Sequence, residues 1–349
     1  MKTPKELGFY FPAEWDTHAS TWITFPHNDH SWQGDKLADM YPEYFAFIKA
    51  ISLGEIVNIQ VNDDALAAFI KSQFAVYGID ETQIRLHIQP TNDAWCRDHG
   101  PAILVNQTSN DRLIVDWGYN AWGGKYPPFD SDNESPSRVA SILGLQKVSP
   151  GIIMEGGSVD FNGAGTVLTS RSCLLNQNRN PNLSQAQIEQ YLCDYYGVEQ
   201  VLWVSDGIVG DDTDGHIDDT VRFVNEDTVI AMVEPNEQDE NHAVLAQNLR
   251  ELKAMRLLNG KALNIMEIPM PAAVVIDEFR APGSYANFYI CNAGVLVPTF
   301  DCPQDVFALE TLAQFFPDRP VIGLSAKKII WGQGSFHCLT QQEPAAKNA

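Results

Sequence analysis

Positive charge is scarce in this chain: 23 Lys and Arg residues stand against 45 Asp and Glu, a net charge of −22 over 349 residues. Such a field repels nucleic acid and anionic membrane, and it draws small cations toward any acid-lined cleft. No apolar run approaches the ~18 residues that a membrane helix needs. The opening MKTPKELGFYFPAEW has no continuous apolar core, so no signal peptide is expected. A glycine-rich phosphate loop is missing too, which removes the usual mark of a two-domain doubly wound protein. The six cysteines (Cys96, Cys173, Cys193, Cys291, Cys302, Cys338) include no CxxC pair. In a chain large enough to need no staples, that spacing predicts free thiols in a reducing cytoplasm and no zinc finger. The nearest metal-like pair, His27 and His30, falls in a Pro/Asn/Asp loop and reads as a surface turn.

What the chain does have is core: 44% hydrophobic and 10% aromatic residues exclude global disorder. Strand signals cover 20–25, 55–61 and 84–88, with helical spacing over 41–51 and 63–77. Strand pairs at 102–105 and 113–117 precede a helix at 135–143, and an apolar run at 151–159 leads to a strand at 166–169. A helix at 184–196 and a strand at 201–204 follow. The pattern continues with a strand at 228–233, a helix at 240–254 and a strand at 263–268. A last set has strands at 285–291 and 295–298, a helix at 304–316, a strand at 321–324 and a short β-like run at 328–331. Strand–strand–helix–strand modules thus fill the whole length with no linker. They predict one α/β domain over 1–349, built from quasi-repeats.

Four polar clusters interrupt the apolar strands. Asp93-Ala94-Trp95-Cys96-Arg97-Asp98 sits at a strand exit, where Arg97 and Asp98 could equally form a surface pair in a capped turn. Met154-Glu155-Gly156-Gly157 ends an apolar run in a carboxylate that backbone or ligand can approach closely. The third runs from Asp211 to Asp219 and contains His216; on a strand, His216 and Asp218 would share one face. It is acidic enough to suggest calcium, yet the EF-hand pattern fails. With Gly215 as the loop glycine, Gly210 falls on the first ligand position and Val221 on the terminal Glu. The fourth is Gly332 to Pro344, where His337-Cys338 follows a glycine turn; a buried structural thiol is the plain alternative. Together they offer a thiol, an imidazole and carboxylates at Asp98, Glu155 and Asp218. Cys, His and an orienting acid serve acyl or amidino transfer. Several carboxylates would oppose a developing oxyanion, whereas two of them can grip a guanidinium in bidentate fashion.

The segments TNDAWCRDHGP, VDWGYNAWGG, MEGGSVDFNGAGTVLTS, LLNQNRNPNLS, DTDGHIDD, YANFYICNAGVLVP and GQGSFHCLTQQEP, with FPAEWDTHASTWITFPHN near the start, resemble the agmatine deiminase and bacterial peptidyl-arginine deiminase family. The resemblance spans nearly the whole chain in order. It implies the pentein fold, a five-bladed α/β propeller of ββαβ modules around a substrate channel. It also implies Cys338 as nucleophile, His216 as general acid/base, Asp98 and Asp218 as guanidinium grips, and Glu155 as partner of His216. Trp95 and Trp122 would line the channel, and His337 would be structural. No metal or organic cofactor is implied. The expected substrate is agmatine, which carries a second positive charge and no carboxylate, and the expected product is N-carbamoylputrescine, on the route to putrescine. Alternatives are free or peptidyl arginine, for which Arg97, Arg222 or Arg280 would have to clamp a carboxylate, and an acidic calcium-dependent binding module. A homodimer is suggested by the resemblance. The chain departs from the family's pattern at Gln333 and Ser335 (usually within GGGN), Asp212 (often Glu), Asp219 (usually Asn) and Cys96 (often Met). These positions bear on tail selectivity.

Overall fold

A computed structural model describes residues 2–106 and 108–346. Five sheets repeat one plan: an antiparallel strand pair, a crossing helix, and a third strand parallel to the second. A parallel return requires such a crossover, and the helix provides it. The first sheet uses Ala102–Asn106, Arg112–Val115, the helix Ser135–Leu143 and Gln146–Val148. The second uses Val159–Phe161, Thr166–Ser170, the helix Gln185–Tyr196 and Gln200–Val204. Val221–Phe223, Thr228–Val233, the helix Glu240–Ala254 and Asn264–Pro269 form the third. Tyr289–Cys291, Gly294–Thr299, the helix Gln304–Ala313 and Val321–Ser325 form the fourth. The fifth is assembled from both ends of the chain. Thr340–Pro344 pairs antiparallel with His18–Thr24, the helix Lys36–Ser52 crosses, and Ile56–Val61 returns in parallel; the helix Asp64–Tyr77 then adds Ile84–Ile88.

Local chemistry sets the helix ends. Asp63 accepts from Leu66 N at the start of Asp64–Tyr77, and Gly78 closes it in the left-handed region. Ser184 and Gln187 form a capping box on Gln185–Tyr196. The largest apolar cluster packs Lys36–Ser52 against the last segment: Phe47 stacks on Phe336 with ring centroids 4.4 Å apart, two residues before Cys338. Among the described residues no helix is long and apolar enough to cross a membrane.

The α/β reading and the module order hold, but several short segments differ from expectation. Residues 328–331 are not β-like: Ile329–Gly332 is a 3-10 turn, because Glu43, on a distant helix, accepts from the Lys328 and Ile329 amides. The stretch 285–291 divides into a 3-10 turn, Tyr285–Asn287, capped by Ser284, and the strand Tyr289–Cys291. His216 and Asp218 lie on no strand, since Ile217–Asp219 is a 3-10 turn that precedes Val221–Phe223. The Asp211 carboxylate accepts from the Gly215 and His216 amides and bends the backbone there. Four short strands carried too little pattern to predict: Phe9–Tyr10, Gln146–Val148 and the hairpin Val274–Ile276 with Phe279–Ala281.

Candidate active site

Each sheet's first strand is preceded by a tight turn, and the four predicted clusters lie on four of these turns. The single-turn helix Cys96–His99 carries Asp98 into Ala102–Asn106, and Glu155 stands before the 3-10 turn Gly156–Ser158. Ile217–Asp219 brings His216 and Asp218, and the loop before Thr340–Pro344 brings Cys338. The remaining turn, Tyr285–Asn287, brings Asn287, a residue the sequence reading did not single out. Its position ahead of Tyr289–Cys291, equivalent to that of Asp98 in the first module, is the signal that could have found it.

Hydrogen bonds tie the turns together. Arg97 N donates to Cys338 O at 3.0 Å, Gly157 N to Asp98 Oδ1 at 3.0 Å, and Asn287 Nδ2 to Asp219 Oδ1 at 3.0 Å. Gly157 must be glycine for this closure: a Cβ would stand 2.5 Å from His216 Nδ1 and 2.8 Å from Asp98 Oδ1.

Asp98 also accepts from Trp122 Nε1 at 3.0 Å and lies 3.7 Å from His216 Nδ1. Burial, reinforced by Asp218 and Glu155 and only partly offset by His216, pushes its carboxyl up to about 6. Burial alone would lower His216, yet Asp98, Cys173 and Asp218 carry it well above the ordinary histidine value. Asp218 accepts from His337 Nδ1 at 2.7 Å; burial would raise its carboxyl, and His337, His216 and Arg222 hold it below the usual range. The Cys338 thiol lies 3.6 Å from Asp218 Oδ2 and 3.1 Å from Asn287 Nδ2. Burial, Asp218, Asp219 and Asp98 push it well above an ordinary thiol. Both ring nitrogens of His216 and Oδ1 of Asp218 are buried without hydrogen-bond partners. Orphaned groups gathered in one place are the mark of a site made for a ligand.

Glu155 is buried behind His216 but does not hydrogen-bond it, contrary to the expected pairing. Its Oε1 instead takes Arg179 Nε at 2.5 Å, and Arg179 Nη1 reaches Asp214 Oδ2 at 2.7 Å. A guanidinium five residues before the nearest predicted helix left no trace in the local pattern. Glu155, Cys173 and His216 place ligand atoms within 4.8 Å of one another, a set that could hold a metal ion, although Arg179 already brings positive charge to that carboxylate. The acidic run does not converge as a calcium site would. Asp211 caps backbone amides, Asp212 faces Lys125 and Tyr126, and Asp214 faces Lys125, Asn178 and Arg179.

Cys338, Asp98, Trp95 and Trp122 share a cleft of about 540 Å³ with Asp93, Tyr126, Asp212 and Gln333. Trp122 holds a left-handed backbone (φ 54°), and Trp95 stacks on Trp32 with centroids 5.3 Å apart. Among the described residues that line the cleft there is no arginine or lysine. The three candidate carboxylate clamps are engaged elsewhere. Arg97, buried rather than in a surface pair with Asp98, holds Glu14 and Gln342; Arg222 holds Asp160 and Glu14; Arg280 holds Asp239. His27 bonds the carbonyls of Phe25 and Thr91, and His30 sits at the cleft rim, so the two share no ligand.

Comparison with known proteins agrees with this geometry. Residues 10–344 match the family described as Porphyromonas-type peptidyl-arginine deiminase. The agmatine deiminase of Ectopseudomonas mendocina is 34% identical, covering 99% of this chain and 98% of its own, and that of Pseudomonas fluorescens is 35% identical, covering 98% and 97%. The solved agmatine deiminase of Enterococcus faecalis superposes with a TM-score of 0.90 at 32% identity, over 99% of this chain and 98% of that one. With cysteine, histidine and paired carboxylates gathered on successive turns of one repeated module, and with likeness over its full length, this chain belongs to the Porphyromonas-type peptidyl-arginine deiminase family.

Proposed function

We propose that this protein is an agmatine deiminase, hydrolysing agmatine to N-carbamoylputrescine and ammonia through a covalent intermediate on Cys338. The observation that carries the reading is the cleft itself, where the Cys338 thiol and the buried Asp98 carboxylate face a passage walled by tryptophan and acid, with Asp218 buried 3.6 Å behind the sulfur and, among the described residues that line the cleft, no arginine or lysine to clamp an α-carboxylate.

In the mechanism, Asp98 and Asp218 grip the guanidinium fork beside the sulfur. The bound cation offsets the acids that hold the Cys338 proton, and the thiol releases that proton to water. The thiolate attacks the guanidinium carbon. His216 gives its proton to the leaving nitrogen, the C–N bond breaks, and ammonia departs. An amidino (thiouronium) carbon remains on sulfur. Neutral His216 then takes a proton from water, whose oxygen adds to the same carbon; the C–S bond breaks, the added hydroxyl gives up its remaining proton to solvent water, and the ureido product and thiolate are released. Glu155, anchored by Arg179, keeps a negative wall behind His216. Trp95 and Trp122 flank the alkyl chain, and Asp93 and Asp212 favour the second ammonium at the mouth. No step calls for a metal or organic cofactor.

The propeller belongs to this reading as well. Five like sheets, a hydrogen-bonded succession of turns and a fifth sheet made from both chain ends support blades arranged around the substrate channel. The free cysteines support a reducing cytoplasm. A homodimer, suggested by family resemblance alone, is tested by light scattering.

The test is a parallel assay of ureido product and ammonia from agmatine, arginine and a blocked arginyl peptide. Agmatine is expected to dominate. Cys338→Ser is expected to abolish product while retaining agmatine binding. Preference for arginine or the peptide would overturn the substrate, and full activity of Cys338→Ser would overturn the mechanism.

A further inference from the structure

We propose that Cys173, His216 and Glu155 form a site for one thiophilic divalent cation of the zinc class, whose binding reversibly switches the enzyme off. The site stands on geometry; its effect on turnover rests on the reading of His216 as general acid/base. The Cys173 sulfur, one His216 ring nitrogen and one Glu155 oxygen lie within 4.8 Å of one another, and all three side chains are buried. The independent observation is His216, fully buried with neither ring nitrogen hydrogen-bonded. A buried imidazole without partners keeps a lone pair for a ligand.

Arg179 does not fill this site; it aims one of its ligands. Its Nε donates to Glu155 Oε1 at 2.5 Å and leaves Oε2 facing the Cys173 sulfur at 3.9 Å. Ligating carboxylates are commonly oriented by such a bond from behind. Arg179 is itself pinned to Asp214 and the Thr213 carbonyl, and Cys173 is held by Ser170, whose hydroxyl accepts from its amide at 3.3 Å. In a tetrahedral zinc site, bonds of about 2.3 Å to sulfur and about 2.1 Å to oxygen set those two atoms about 3.5 Å apart. The observed 3.9 Å reaches that with a shift of a few tenths of an ångström.

The donors select the metal. Thiolate with imidazole suits zinc or cobalt, whereas calcium and magnesium favour all-oxygen sites. The acid-lined cleft gathers cations, and Asp98, on its wall, stands 3.7 Å from His216 Nδ1 and so joins the cleft to the site. Binding forms metal–sulfur, metal–nitrogen and metal–oxygen bonds, the protons of Cys173 and His216 pass to water, and nothing is oxidised or reduced. The metal then holds the imidazole lone pair that must carry a proton to the leaving nitrogen and take one from water.

The test uses cobalt(II) as optical probe and zinc(II) as inhibitor, on the full chain. Cobalt bound to thiolate shows a sulfur-to-metal charge-transfer band in the near ultraviolet. In Cys338→Ser, which lacks the cleft thiol, one cobalt per chain is expected to give that band, and zinc to remove it by displacement. The double variant Cys338→Ser with Cys173→Ser is expected to show no band, with circular dichroism verifying the fold. For activity, each protein's own metal-free rate is the reference. Zinc is expected to inhibit the parent, with recovery on adding a chelator, and Cys173→Ser is expected to need at least tenfold more zinc for half inhibition. No band in Cys338→Ser, a band that survives loss of Cys173, a parent indifferent to zinc, or equal zinc sensitivity with and without Cys173 would overturn the proposal. Should Cys173→Ser misfold, Glu155→Gln in the Cys338→Ser background supplies the decision, since losing that carboxylate should weaken cobalt binding at least tenfold and unchanged binding would overturn the site. If the band depends on Cys173 yet agmatine is not turned over by the metal-free parent, the functional reading fails and the metal site stands.

Discussion

His337 Nδ1 lies 2.7 Å from Asp218 Oδ2, while its other ring nitrogen lies 2.8 Å from Glu14 Oε2. The histidine beside the proposed nucleophile therefore fixes a carboxylate that is proposed to grip the substrate, and ties it to a charged cluster of Glu14, Arg97 and Arg222. In that cluster burial would raise Glu14, and Arg222, His337 and Arg97 hold it far below the carboxylate range. His337→Gln cannot bridge both acids. Losing a hydrogen bond between buried charged groups costs about 1.5–3 kcal/mol. We expect the melting temperature to fall by several degrees and the KM for agmatine to rise at least tenfold, more than kcat falls. Calorimetry and steady-state kinetics check this, and a drop in stability at unchanged KM would leave His337 with packing alone.

The acid limb of activity should belong to Asp98. Its carboxyl titrates at about 6 because it is buried among other acids. Below that pH it takes up a proton and loses its grip on a cation, so kcat/KM for agmatine should fall as the pH drops below about 6. Bound agmatine brings positive charge beside Asp98 and favours its ionised form. The limb of kcat, which reports the complex, should therefore lie at lower pH than that of kcat/KM. Coincident limbs in a pH profile would argue against a direct contact.

The residues of the site were more legible than their geometry. Cys338, His216, Asp98, Asp218 and Glu155 each break an apolar run with a polar group, a local pattern that composition and period expose. The turns that aim them depend on partners far along the chain, such as Glu43 on the Lys328 amide, more than two hundred residues away in sequence, and these leave no local signature. The missing hydrogen bond between Glu155 and His216 has the same origin, for Arg179 reads locally as one basic residue in an Asn-rich loop. Asn287 was overlooked because amides in a strand-like apolar run look structural. The module plan was readable, while the joining of the two chain ends in one sheet was not, because antiparallel pairing of Thr340–Pro344 with His18–Thr24 has no sequence-local cause.

Arg179 offers a sharper test of the Glu155 arrangement. Its side chain is buried and bridges Glu155, Asp214 and the Thr213 carbonyl. Lysine retains the charge but cannot span three acceptors in a fork. Arg179→Lys should lower kcat at least tenfold, since Glu155 is freed to turn onto His216 or to take up a proton. Arg179→Ala leaves a buried carboxylate unpaired and should cost about 3–5 kcal/mol of stability by chemical denaturation. Parent-like kcat in Arg179→Lys would show that the fork is dispensable.

Asp132 supports the cleft from behind, accepting from the Asn92 and Asp93 amides at 2.7 and 3.3 Å, just ahead of Trp95. Burial pushes its carboxyl up to about 7, with the two amides and His27 offsetting part of the rise. A carboxyl raised above its unfolded value of about 3.9 binds protons better when folded, so its ionisation destabilises the fold as pH rises from roughly 4 to 7. Asparagine keeps the acceptor and cannot ionise. Asp132→Asn should therefore match the parent near pH 4 and become the more stable protein by pH 8, by at most about 4 kcal/mol. Paired melts across that range decide the matter: a difference that does not grow with pH would mean that Asp132 is already matched by its surroundings, and a reversed trend would mean that its charge is needed to hold the 92–95 loop.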